Sequence, residues 1–293
     1  MARITGTAPA VLVLTVLALG ALAPGAAAPA QAGALCTMVI ESASRAVLLE
    51  EGDCAVRVTP ASTFKVPLAA IGYEEGVLSD AHAPVWTWAK GEVDWGGDPW
   101  RGDVDPMHWM DYSVVWYSQR MARQLGHAVL EQRTRALGFG NADFSGDPGQ
   151  DNGLERAWIA SSLTISAREQ ALFLTGLLNR TLPLSEGAQA QAEALLPAHD
   201  AGEGWTLTGK PGGAYPQRAD GSFDRSRGFG WFVGWAEAKG EENGRRLVFV
   251  RLVQDETRER GSPGRRARAA FLEEWPAIAK RLPADGPPLS GKD

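Results

Sequence analysis

An α+β fold is predicted for this 293-residue chain: a central antiparallel sheet sandwiched by helices, with an added helical lobe. Three observations predict it. Strand-like runs occur near both ends of the chain, whereas the middle reads mostly helical with long loops. The C-terminal runs 204–210, 228–237 and 245–254 are rich in Trp, Phe, Val and Leu and are separated by turn residues. No internal repeat or low-complexity linker divides the chain, so the two strand-bearing ends fit most simply side by side in one sheet. The sheet lobe is expected from residues 33–75 and 203–282, and the helical lobe from 76–202.

Taken in order, the first 32 residues read as a secretory signal peptide. Arg3 starts it, an apolar run over 11–23 follows, and Ala30-Gln31-Ala32 has the A-x-A cleavage pattern. Cleavage after Ala28 is the alternative. The apolar run is too short for a membrane span, and Leu35 before Cys36 is not the small residue that a lipid anchor would want. Residues 33–293 are thus expected as a single domain, periplasmic or secreted, with no membrane anchor. Strands over 38–41 and 46–50 make a hairpin turning at 42–45, with Cys36 and Cys54 at its ends. An oxidising compartment favours a disulfide between them over two free thiols. Closing that loop is worth about 3 kcal/mol in the chain-entropy model.

Helices are expected over 62–75, 112–125 and 126–137, and 144–156 is a surface loop dense in Gly, Asp and Asn. Ser166 and Glu169 form a capping box ahead of a helix over 170–179. Ser262-Pro263 supplies an N-cap and a first-turn proline for the last helix. The residues from Pro283 onward read as a loose tail.

Composition excludes several functions. A charge of −6 argues against nucleic-acid binding. With 4 His and 2 Cys, and neither HExxH nor paired CxxC, no metal site is expected. No GxSxG, GxGxxG or GxxxxGK[ST] occurs. His82, His108, His127 and His199 lack the setting of a catalytic triad and read as structural or solvent histidines. Of 11 tryptophans, Trp88, Trp95, Trp100 and Trp109 fall in a Gly/Asp-rich stretch that could border a cleft between the lobes.

The remaining candidate is Ser62-Thr63-Phe64-Lys65. A serine hydroxyl is a weak nucleophile that needs a base. A lysine serves as one only if burial lowers its pKa from about 10.4. Read alone, this S-x-x-K is also compatible with a capping serine and a solvent lysine.

Its company narrows the reading. Thr59-Pro-Ala-Ser62-Thr-Phe-Lys65, Ser113-Val114-Val115, Phe139-Gly140-Asn141, Trp158-Ile159-Ala160-Ser161-Ser162-Leu163 and Gly230-Trp231-Phe232-Val233-Gly234-Trp235 occur in this order. Together they resemble the motifs of the class D serine β-lactamases over nearly the whole of the chain after residue 35. The resemblance implies the penicillin-recognising, transpeptidase-like fold and small-molecule β-lactam substrates. It implies that Ser62 is the nucleophile and that Lys65, N-carboxylated by CO2 or bicarbonate, is the general base. No other cofactor is implied, and a monomer or weak dimer is expected. Trp158 would donate its indole N–H to the carbamate, Phe64 and Val115 would form apolar walls, and Ser113 would pass a proton to the leaving nitrogen.

The chain departs from the family at Lys210-Pro211-Gly212, where Lys-[Thr/Ser]-Gly is expected. Lys210 would supply positive potential, and the backbone N–H groups of Ser62 and Gly213 an oxyanion hole. Pro211 brings neither a hydroxyl nor an N–H to the substrate carboxylate, and proline is best accommodated on a sheet edge. Arg265 is expected to anchor that carboxylate, with Arg266 the alternative, within an Arg-rich stretch that also holds Arg258, Arg260 and Arg268. The reading is a β-lactam hydrolase; the alternative is a sensor-like protein that acylates but deacylates slowly because of Pro211.

Overall fold

The structure, a computed structural model, describes residues 1–2, 33–239 and 245–283. The chain divides into two compact units, Met1–Gln31 and Ala32–Asp293. All but the first two residues of the expected signal peptide lie outside the described residues, as does the tail after Pro283.

In chain order the strands are β1 (Gly33–Glu41), β2 (Val47–Gly52), β3 (Arg57–Val58), β4 (Trp86–Thr87), β5 (Asp103–Val104), β6 (Ile165–Ser166), β7 (Ala198–Asp200), β8 (Trp205–Ala214), β9 (Phe229–Ala238) and β10 (Arg246–Gln254). The helices are α1 (Lys65–Glu74), α2 (Pro106–Tyr112), α3 (Val115–Leu125), α4 (His127–Ala136), α5 (Gly153–Arg156), α6 (Ala167–Leu178), α7 (Glu186–Ala194) and α8 (Pro263–Arg281). The main sheet has the order β2-β1-β10-β9-β8-β7, and every neighbouring pair is antiparallel. The ends of the chain meet where expected, with Met38 opposite Val250 and Ile40 opposite Val248.

Strand alternation sends side chains to two cores. Val39, Phe232, Leu247 and Phe249 pack with Phe271 and Trp275 of α8 on one face. Met38, Ile40, Val233, Val248 and Val250 face the helices on the other. Each such buried aliphatic or Phe side chain stabilises the fold by roughly 1.5–3 kcal/mol. Helix α6 packs on β1 and β10, so a helix from the middle segment also covers the sheet.

Cys36 and Cys54 are joined in a disulfide, with Cα atoms 5.0 Å apart. The capping box is formed: Glu169 N–H donates to Ser166 Oγ at 3.3 Å and Ser166 N–H to Glu169 Oε2 at 2.9 Å. Pro263 opens α8, but Ser262 at its N-cap makes no side-chain capping bond and instead lines the cleft.

Three local expectations are corrected. The loop expected over 144–156 ends in a short helix, α5. The helix expected over 112–125 breaks at Ser113, which takes a left-handed conformation (φ 58°) and caps α2 by donating its N–H to Trp109 O. A helix running through this point would carry Ser113 round its axis rather than hold it in the turn. The helix expected from residue 62 begins as a 3-10 turn, Ala61–Phe64, and becomes α-helical only at Lys65.

Candidate active site

Ser62 sits in that 3-10 turn, where side chains three residues apart eclipse, so Ser62 and Lys65 share a side. The turn is clamped from three directions. Thr63 Oγ1 donates to Pro60 O (2.8 Å), Gln170 Nε2 donates to Thr63 Oγ1 (2.7 Å), and Trp231 Nε1 donates to Thr59 O (2.9 Å). Strand β8 presses on it as well. A Cβ at Gly212 would stand 2.9 Å from Pro60 O and 3.0 Å from Thr63 N, so only glycine allows this approach.

Lys65 is 2% exposed. Its Nζ donates to Val114 O at 2.9 Å and to Ser118 Oγ at 2.5 Å, and lies 5.2 Å from the Trp109 ring centroid. Trp109 Nε1 donates to the same Ser118 oxygen at 2.9 Å. No carboxylate pairs with this ammonium among the described residues. Burial, and then the charge of Lys210, pushes the Lys65 pKa well below its ordinary value.

Lys210, on β8, is likewise buried, and its Nζ donates to Ser113 Oγ. The left-handed turn at Ser113 is what aims this hydroxyl at β8. Burial first, then the charges of Arg268 and Arg265 against the opposing Asp111, brings Lys210 down to about 7.

Trp158 stacks on Phe64 with centroids 5.3 Å apart, and Phe64 is backed by Phe139 and Phe144. Thr59 Oγ1 donates to Trp158 O and accepts from Ala160 N, both at 2.9 Å, tying this loop to the turn that carries Ser62. The indole N–H of Trp158 makes no hydrogen bond to a described residue.

Ser62, Ser113, Val115, Trp158, Pro211, Gly213 and Arg265 line one cleft of about 570 Å³. Lys65, Phe64, Lys210 and Gly212 stand behind its walls. Along β8, Gly209 N–H donates to Pro197 O, away from β9. Alternation puts position 211 and Gly213 N–H on the same outer edge. The pairing with β7 ends at Thr208, leaving this edge open to the cleft. Pro211 therefore costs the sheet no hydrogen bond.

Arg266 is engaged elsewhere: its guanidinium donates to both oxygens of buried Asp255, at 2.7 and 2.6 Å. Arg268, one turn beyond Arg265, also lines the cleft, partly buried. Sequence reasoning left Arg268 in a basic run; its three-residue spacing from Arg265 was the available signal. Trp95 and Trp100 line the cleft too, while Trp109 packs under Lys65 and Trp88 lies elsewhere. The four histidines do not line it.

Residues 32–274 match the family model described as the penicillin binding protein transpeptidase domain. Over 243 residues the chain is 38% identical to β-lactamase OXA-9 of Klebsiella pneumoniae, covering 83% of this chain and 87% of that one. It is 30% identical over 217 residues to β-lactamase OXA-1 of Escherichia coli, covering 73% and 74%. Among solved structures, the OXA-427 class D β-lactamase superposes with a TM-score of 0.75 at 38% identity, covering 85% of this chain and 99% of that chain. A class D β-lactamase from Bacillus subtilis gives 0.67 at 27% identity, covering 85% and 92%.

Proposed function

Since the chain belongs to the class D β-lactamases and is a β-lactamase, we propose that it opens β-lactam rings through an acyl-enzyme on Ser62, with Lys65 as the site of the general base. The observation that carries this is Lys65 itself, a buried lysine near Ser62 that no carboxylate pairs with among the described residues. Its lowered pKa, caused by burial and then by the charge of Lys210, favours the neutral amine, the form that adds CO2. The Ser118 hydroxyl, which here accepts from Lys65 Nζ, and the unbonded Trp158 indole would turn their O–H and N–H to the product to hold it. Carboxylation would give this position a base in place of a cation.

Ser62 Oγ gives up its proton on the Lys65 side and bonds to the β-lactam carbonyl carbon. The backbone N–H groups of Ser62 and Gly213 receive the developing oxyanion. As the ring C–N bond breaks, the nitrogen takes a proton from Ser113, and Lys210 resupplies that hydroxyl. Water, deprotonated on the Lys65 side, then cleaves the Ser62 ester. Arg265 and Arg268 hold the substrate carboxylate in place of the hydroxyl that Pro211 lacks. Export after cleavage near Ala32 accords with the Cys36–Cys54 disulfide. Among the described residues no helix is long and apolar enough to cross a membrane.

The test is turnover of a chromogenic cephalosporin and of a penicillin, with and without added bicarbonate. Steady hydrolysis raised by bicarbonate supports the reading, together with slowed deacylation in Lys65→Ala and Trp158→Ala. One stoichiometric burst without turnover would mean a protein that acylates and stops.

A further inference from the structure

Asp111 is the one acidic residue that lines the cleft among the described residues. The fold does not account for its charge. It is exposed, and it makes no hydrogen bond or ion pair to a described residue. It stands in the last turn of α2, where the helix carbonyls disfavour a carboxylate. Asp105, at the other end of the same helix, is there for the fold: it caps α2 by accepting from His108 N–H at 2.7 Å.

Arg265 and Arg268 of α8 line the same cleft, and neither pairs with a carboxylate among the described residues. The three charges sense one another nonetheless. Arg268 is pushed down by burial and then by the charge of Arg265, and Asp111 works the other way. At Lys210, brought down to about 7 by burial and then by Arg268, Asp111 is again the opposing charge. Asp111 therefore belongs to the cationic end of the cleft.

Opposite charges that face one cleft unpaired are matched by a ligand that carries both signs. The arginines fit a carboxylate. A positive group attached close to that carboxylate then falls beside Asp111. Cephalosporins have this layout, because their six-membered ring bears the carboxylate and a methylene-linked substituent on adjacent carbons, away from the acylamino group.

We propose that Asp111 forms a cation-accepting subsite that makes this enzyme select cephalosporins whose methylene-linked substituent is positively charged. The proposal deepens the hydrolytic reading above and rests on it for the placing of the substrate carboxylate at Arg265 and Arg268.

The test compares kcat/KM for cephaloridine, which carries a pyridinium at that position, with kcat/KM for cephalothin, which carries a neutral acetoxy group. The two share one acyl side chain. In Asp111→Asn the cephaloridine-to-cephalothin ratio should fall about two- to fivefold, the worth of one solvent-exposed charge pair, mainly through KM. Asp111→Glu should retain most of the ratio. Raising salt from about 0.05 M to about 0.5 M should lower the ratio in the wild type and leave it unchanged in Asp111→Asn. A ratio that Asp111→Asn does not alter overturns the proposal. If both rates change together, the charge of Asp111 acts on Lys210 and not on the substrate, which overturns it too. Absence of turnover with both compounds in the wild type strikes the hydrolytic reading instead. The same ratio is then taken from the rates of Ser62 acylation, followed by mass spectrometry.

Discussion

Arg266 and Asp255 form a two-pronged ion pair at the start of α8, and Asp255 is only 1% exposed. This pair decides which arginine faces the cleft, since Arg266 is committed to Asp255 while Arg265 lines the cleft. Arg266→Ala should lower stability by on the order of 3 kcal/mol, because it leaves a buried carboxylate without its partner. Arg265→Ala and Arg268→Ala should each reduce kcat/KM roughly tenfold, through KM, with little change in melting temperature. Denaturation curves and steady-state kinetics on the three variants check this, and a reversed ranking would return Arg266 to the site.

The pH profile should carry the mark of Lys210. Its pKa of about 7 is set by burial and then by the charge of Arg268. Protonated Lys210 is the form that resupplies Ser113, so kcat/KM for penicillins should fall on the alkaline side, with a limb near 7. Arg268→Ala removes a repelling charge, raises the Lys210 pKa and should move that limb to higher pH. A limb that stays in place in this variant would show that another group titrates. The linked effect on stability has a definite sign. From about pH 7 toward the unfolded lysine value, the unfolded chain holds a proton that folded Lys210 lacks, so stability rises with pH in this window.

Pro211→Thr should be tolerated by the sheet, because position 211 turns its missing N–H toward the open edge rather than toward β9. The new hydroxyl should raise kcat/KM for penicillin about tenfold or more, the worth of one charge-assisted hydrogen bond. Unimproved turnover in a stably folded variant would refute this view of position 211.

Gly212→Ala probes the close approach of β8 to the nucleophile turn. The added methyl group would meet Pro60 O and Thr63 N at 2.9 and 3.0 Å, so the turn must shift. A displacement of Ser62 by a fraction of an ångström to an ångström should cost on the order of a hundredfold in kcat. The comparison is with the same substitution at Gly187, where a methyl group meets nothing within 4 Å. Equal activity in the two variants would mean that the turn is not held by this contact.

Several residues that gather at the cleft were legible in the sequence because they fall in short motifs. Ser62 and Lys65 lie three apart, and so do Ser166 and Glu169, the pair that caps α6. The alternation in β1, β9 and β10, with Ser262-Pro263 opening α8, likewise specifies strands and a helix locally. Tertiary structure alone decided the rest. The break at Ser113 is invisible to helical periodicity, because a single left-handed residue interrupts an otherwise continuous pattern. That Arg265 and Arg268 line the cleft while Arg266 does not depends on the position of Asp255. The lowered pKa of Lys65 and Lys210 comes from water excluded by segments far apart in the chain, a property that residue order does not carry and only packing creates.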